Sequence, residues 1–142
     1  WLRLLQPRLQ GARVIDLFAG SGALGLEALS RGAASADFVE TRPASLHALK
    51  ANVAALRARE RTRIFKRDAL ELAGRLAPGS YEIALADAPY DSRTLDHLIE
   101  IWCESGFAAL LSVEHAVDHP LPAGGTLHRF QTTAVTTYEL LP

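Results

Sequence analysis

Three carboxylates and a glycine turn are the residues of this chain whose types and spacing could do chemistry. Gly20-Ser21-Gly22-Ala23-Leu24-Gly25 is a literal G-x-G-x-x-G, and Glu40 follows Gly20 by 20 residues. That pattern marks a strand–turn–helix unit that seats a dinucleotide pyrophosphate on a helix N-terminus. Asp16, four residues before Gly20, argues against a pyrophosphate, because an unpaired carboxylate facing the same crevice repels phosphate across a low-dielectric gap. S-adenosylmethionine carries an ammonium and a sulfonium instead, so the same acid becomes an attraction. The expected cofactor contacts are then Asp16 and the turn Ala19-Gly20-Ser21-Gly22 on the methionine part, and Glu40 on both ribose hydroxyls. Asp68-Ala69 is expected to meet the adenine amino group, with Phe18 and Arg42 flanking the adenosine.

Asp87-Ala88-Pro89-Tyr90 is the second constellation. An amino group on a heteroaromatic ring is a poor nucleophile because its lone pair is delocalised into the ring. Two acceptors, the Asp87 carboxylate and the Ala88 carbonyl, can draw its hydrogens and turn the nitrogen lone pair toward a methyl donor. Pro89 holds Ala88 extended and so aims that carbonyl. Tyr90 offers a flat face on which an extruded base stacks, worth about 1–3 kcal/mol. These four residues are the expected catalytic set.

The elements that must carry these groups alternate in type. Arg13–Phe18 reads as a buried strand, followed by a helix over Ala23–Arg31 that Gly32 ends. Ala36–Glu40 is a second strand, Pro43 opens a helix over Ala44–Leu56, and Thr62–Phe65 is a third strand. Leu70–Leu76 is a short helix stopped by Pro78-Gly79, Tyr81–Ala86 a fourth strand, Thr94–Glu104 a helix with Leu95, Leu98, Ile99 and Trp102 on one side, and Ala109–Glu114 a fifth strand. Gly124-Gly125 then leads into Thr126–Phe130, and Thr133–Leu140 alternates with β-branched residues, as a closing antiparallel pair would. Strands in alternation with helices predict an α/β domain with a mostly parallel sheet. All three acids then fall at carboxyl ends of strands, where open α/β sheets bind ligands.

The 142 residues fit one domain able to bury a full core without staples, and the one cysteine, Cys103, reads as a buried thiol. No apolar run is long enough to predict a membrane span, and no signal peptide is readable, so a cytoplasmic protein is expected. The absence of methionine and the start on Trp1 predict that residues precede this sequence in the parent chain. A net charge of −1 hides polarity: residues 1–67 hold 12 Lys/Arg against 5 Asp/Glu, and residues 68–142 hold 3 against 11. Arg57, Arg59, Arg61, Arg63, Lys66 and Arg67 crowd one junction, which is a solvated loop on the plain reading and a phosphate-contacting patch on the sharper one. His115 and His119 are four apart, but Pro120 breaks any helix there and no metal is expected. Trp1 and Trp102 read as core or covering residues.

The run from Asp16 to Arg31, Asp-Leu-Phe-Ala-Gly-Ser-Gly-Ala-Leu-Gly-Leu-Glu-Ala-Leu-Ser-Arg, together with Asp87–Tyr90, resembles the bacterial 16S rRNA guanine-N2 methyltransferase family from about Trp1 to the end. The resemblance implies a Rossmann-like class I methyltransferase fold, seven strands with a C-terminal antiparallel hairpin and helices on both faces. It further implies S-adenosylmethionine as donor, S-adenosylhomocysteine as product, and methyl transfer to the exocyclic amine of a guanine in 16S rRNA of the small ribosomal subunit or its assembly intermediate, by a monomer. Two departures stand out. Ala88 replaces the first proline of the family motif, and the family's basic N-terminal segment is not in this sequence. An amino-group methyltransferase acting on adenine in DNA or on a protein amide, a nicotinamide-dependent oxidoreductase, and a cofactor-binding domain without catalysis are the competing readings.

Overall fold

The computed structural model describes residues 1–88 and 92–140. A 3₁₀ turn (Leu2–Leu5) and a short helix α1 (Gln6–Leu9) lead into β1 (Arg13–Leu17), α2 (Ala23–Ser30), β2 (Ser35–Val39), α3 (Pro43–Ala55) and β3 (Thr62–Phe65). The chain continues through α4 (Ala69–Arg75), β4 (Tyr81–Ala86), α5 (Ser92–Ser105), β5 (Ala108–Ala116), β6 (Thr126–Arg129) and β7 (Thr133–Glu139). The seven strands form one sheet in the order β3-β2-β1-β4-β5-β7-β6. The first five are parallel, and β7 runs antiparallel to both β5 and β6. The chain winds outward from β1 to β3, then returns to start β4 on the other side of β1. That reversal is the switch point at which such sheets open a crevice.

Side chains alternate across the pleat and split the core into two layers. Val14, Phe38, Ile83, Leu85 and Leu110 pack with residues of α1, α2 and α3. Ile15, Leu17, Ala84, Ala86, Leu111 and Val113 pack with α4 and α5. The helices therefore cover both faces, as the resemblance implied. Leu95, Leu98, Ile99 and Trp102 form the buried stripe of α5, and the Trp102 Nε1–H donates to the Ala108 carbonyl at 2.7 Å. Trp1 is half-buried and donates from Nε1 to Ser112 Oγ at 2.8 Å. Both tryptophans are covering or core residues, as expected.

Three expectations need correction. Cys103 is exposed rather than buried, because it follows Trp102 by one residue and so lies about 100° round α5 from the buried stripe. The fifth strand runs beyond Glu114 to Ala116, since pairing with β7 continues through His115–Ala134 and Ala116–Thr133. The fourth helix starts one residue earlier than expected, at Ala69, because Asp68 is its N-cap: Oδ2 accepts the Glu71 amide at 3.0 Å. His115 belongs to β5, with Nε2 and Thr136 Oγ1 2.7 Å apart, so its spacing from His119 has no helical meaning.

Candidate active site

The first strand ends at Leu17 because Phe18 takes a left-handed conformation (φ 61°), turning the chain across the top of the sheet. Gly20 (φ 57°) and Gly22 (φ 85°) also sit at positive φ, which glycine adopts without strain. Gly22 caps α2, and a side chain there would strike Leu49; one at Gly25 would lie 2.5 Å from the Phe38 ring. The glycines of the fingerprint thus let α2 sit close against β1 and α3. Gly20 is different. A Cβ there would have nothing nearer than the Arg42 guanidinium at 3.9 Å, so its side faces open space.

Asp16 sits beneath this turn, 2% exposed, and its Oδ2 accepts the Gly25 amide at 3.0 Å. It was expected to be unpaired and to face the crevice; the first turn of α2 supplies a donor instead. Burial pushes its carboxyl up to about 8, against the opposing effect of the Gly25 bond and with the help of the negative charges of Asp87 and Glu40. At neutral pH the group is largely protonated until a cation arrives.

Glu40 follows β2 and is held by backbone. Oε1 accepts the Gly20 amide at 2.8 Å, and Oε2 accepts the amides of Thr41 at 2.8 Å and Arg42 at 2.9 Å. Burial would raise this carboxyl, but the Arg42 amide and guanidinium and the Gly20 and Thr41 amides outweigh it and hold it below the usual range. Glu40 therefore ties the glycine turn to the end of β2 and remains ionised. Two buried acids a strand apart thus differ in charge state, because a single amide does not offset burial at Asp16 whereas the several donors around Glu40 do.

A cleft of about 390 Å³ is lined by Phe18, Val39, Glu40, Thr41, Arg42, Arg67, Asp68, Ala69, Asp87 and Ala88. Of the expected site residues it brings together Phe18, Glu40, Arg42, Asp68, Ala69, Asp87 and Ala88. Ala19, Gly20, Ser21 and Gly22 form the turn beside it, and Asp16 lies under that turn. Thr41 and Arg67 also line the cleft and were not anticipated. Pro89 and Tyr90 lie outside the described residues.

Asp87 also lines an adjoining cavity of about 500 Å³ with Trp1, Arg3, Leu24, Glu27, Arg31 and Glu114. Burial, together with the charge of Glu114 and a hydrogen bond to it, raises the Asp87 carboxyl to about 6. Glu114, like Thr41 and Arg67, is a lining residue that sequence reasoning missed. The signal was present, because it stands near the carboxyl end of the strand next to β4, where the rule that located Asp87 also applies.

The family model described as conserved hypothetical protein 95 matches residues 2–139. Ribosomal RNA small subunit methyltransferase D of Escherichia coli (strain K12) is 36% identical over 143 residues, covering 96% of this chain and 71% of that protein. The chain belongs to the ribosomal RNA small subunit methyltransferase D family. The solved structure of the yhhF protein from Escherichia coli superposes with a TM-score of 0.82 at 33% identity, covering 97% of this chain and 80% of that one. A SAM-dependent methyltransferase from Agrobacterium tumefaciens, 17% identical, shares the fold with a TM-score of 0.73 over 96% of this chain and 60% of its own. The architecture is the mostly parallel, Rossmann-like sheet of class I methyltransferases. Among the described residues no helix is long and apolar enough to cross a membrane.

The cleft is of small-molecule size. The ionised Glu40 borders it, and a buried acid beneath the turn has an amide but no cation for a partner.

Proposed function

We propose that this protein transfers a methyl group from S-adenosylmethionine to the exocyclic N2 of a guanine in 16S rRNA, acting as a monomer in the cytoplasm on the small ribosomal subunit or its assembly intermediate. The observation that carries the reading is that one cleft joins the ribose-type acid Glu40 to the Asp87-Ala88 motif. Groups for binding the donor and for orienting the accepting amine thus border the same space. Family membership supports it, since the Escherichia coli relative is named for methylation of small-subunit ribosomal RNA.

Glu40 takes the ribose hydroxyls, and Phe18 and Arg42 flank the adenosine. Asp68 and Ala69, at the start of α4, meet the adenine amino group. Ala19, Gly20, Ser21 and Gly22 lie against the methionine part, with Asp16 beneath them to balance its ammonium. When bound, the donor supplies an electrophilic methyl group. Asp87 and the Ala88 carbonyl accept hydrogen bonds from the guanine amine, which frees the nitrogen lone pair for attack. The amine becomes acidic as the new N–C bond forms, and its proton passes to Asp87 and on to water. Pro89 fixes the direction of the Ala88 carbonyl, and Tyr90 stacks on the extruded base.

The deciding experiment incubates small subunits from cells lacking the parental enzyme with labelled donor and the full-length protein, then maps the label by nuclease digestion. Label on guanine N2 of 16S rRNA is the expected outcome; label on adenine or on protein overturns the assignment. Calorimetric titration separates the oxidoreductase reading, for which binding of NADH and none of S-adenosylhomocysteine is required.

A further inference from the structure

Strand parity places a second carboxyl, Glu114, beside Asp87. In β4, Ile83 and Leu85 face the α2 layer, and the same alternation carried past Ala86 points Asp87 to that side. In β5, Leu110 faces the α2 layer, so Ser112 and Glu114 follow it. Parallel pairing of Ala86 with Val113 sets Asp87 and Glu114 next to each other at the strand ends. The two side chains line the same 500 Å³ cavity, which adjoins the cleft that contains Glu40. Two cations, Arg3 and Arg31, also line this cavity, and Arg31 is held by Glu27 Oε1 at 3.0 Å and by Gln6 Oε1 at 3.0 Å. The wall thus presents two adjacent acceptors.

We propose that Glu114 is a specificity residue that selects guanine by accepting its N1–H while Asp87 accepts from the neighbouring N2 amine. The inference rests on the functional reading above and deepens it. Guanine displays two adjacent donors, N1–H and N2–H, whereas adenine places an unprotonated N1 acceptor beside its amine. Two carboxylates side by side complement the first edge, and one of them repels the lone pair of the second. A site that meets a substrate donor with an acceptor that the bound base covers from water discriminates strongly against an analogue lacking it, because its own group is left unpaired.

The test uses small subunits reconstituted with 16S rRNA whose target guanine is replaced by 2-aminopurine, which keeps the N2 amine but has an acceptor at N1. Affinity for each subunit is measured with the full-length protein in the presence of S-adenosylhomocysteine, and methyl transfer is measured separately. Wild-type protein is expected to favour guanine over 2-aminopurine by roughly 10- to 100-fold, the size of one lost charge-assisted hydrogen bond. Glu114→Gln, whose amide can donate to N1, is expected to erase or reverse that ratio, and Glu114→Asp to retain part of it. The ratio is internal to each preparation and so does not depend on the fraction folded. An unchanged ratio in Glu114→Gln overturns the role of Glu114 and leaves the functional reading intact. Absence of label on guanine with the wild type overturns the reading itself, and this inference with it.

Discussion

Asp16 is a carboxyl with a single amide for a partner, buried where ionisation is costly. Its folded pKa of about 8 lies above the ordinary value of 3.8, so the protonated native state is favoured and the resulting stability fades as pH rises from about 4 through 8. Asp16→Asn keeps an acceptor for the Gly25 amide and cannot ionise. Its melting temperature should exceed the wild type by about 2–6 °C at pH 9 and match it only below about pH 4, while affinity for S-adenosylhomocysteine falls. Asp87 works in the other direction, because only its ionised form can take up the amine proton and offer two acceptor oxygens. With its carboxyl raised to about 6 beside Glu114, and with Asp16, Glu27, Arg3 and Arg31 as further charged groups on that side, turnover should fall as pH drops through about 6. Asp87→Asn should lower kcat by about 10²–10⁴ while S-adenosylhomocysteine binding, measured by calorimetry, stays within a few-fold. Normal turnover in that variant would remove Asp87 from the mechanism.

At the scale of elements, the glycine turn is a packing device as much as a binding one. Gly22→Ala combines a positive φ with a clash against Leu49, and Gly20→Ala has the positive φ alone. Thermal unfolding should rank them: about 1 kcal/mol lost at Gly20 and about 2–4 kcal/mol at Gly22. Equal losses would mean that close approach of α2 to α3 does not matter. This part of the fold was legible because G-x-G-x-x-G, Pro43 and Gly32 punctuate the chain locally, and each helix and strand carries its own period. The capping role of Asp68 was also legible, in Asp68-Ala-Leu-Glu71, but the acid was assigned wholly to a ligand. The length of β5 was not legible, because its last two residues are strand only through pairing with β7.

At the scale of the molecule, the winding turns a charge split along the chain into a split across the sheet. Residues 1–67 build the flank β3-β2-β1 with the excess of Lys and Arg, and residues from 81 onward build the acidic flank β4-β5-β7-β6. The site lies at their boundary. Within the basic flank Arg63 is already engaged, with Nη2 2.7 Å from Asp37 Oδ2, to which Tyr81 also donates at 2.6 Å. Arg57, Arg59 and Arg61 are exposed. Replacing these three with Ala should weaken binding to small subunits and make the slope of log affinity against log salt shallower by about 2–3. An unchanged slope would leave the cluster as a solvated loop. The neutral total charge is therefore no argument against a polyanionic substrate.

The sequence by itself determined the order and type of the elements, the strand-end positions of Asp16, Glu40, Asp68 and Asp87, and the family, because these follow from local period, turn chemistry and contiguous motifs. Tertiary structure decided what pairs across the sheet. It buried Asp16 against the Gly25 amide, fixed Glu40 to three backbone donors, and set Glu114 against Asp87. Those contacts join residues 9 to 27 apart in sequence, or a side chain to a loop amide, and they exist only once the parallel register is formed. The protonation states that the chemistry depends on come from these contacts and from burial, which composition and spacing do not contain.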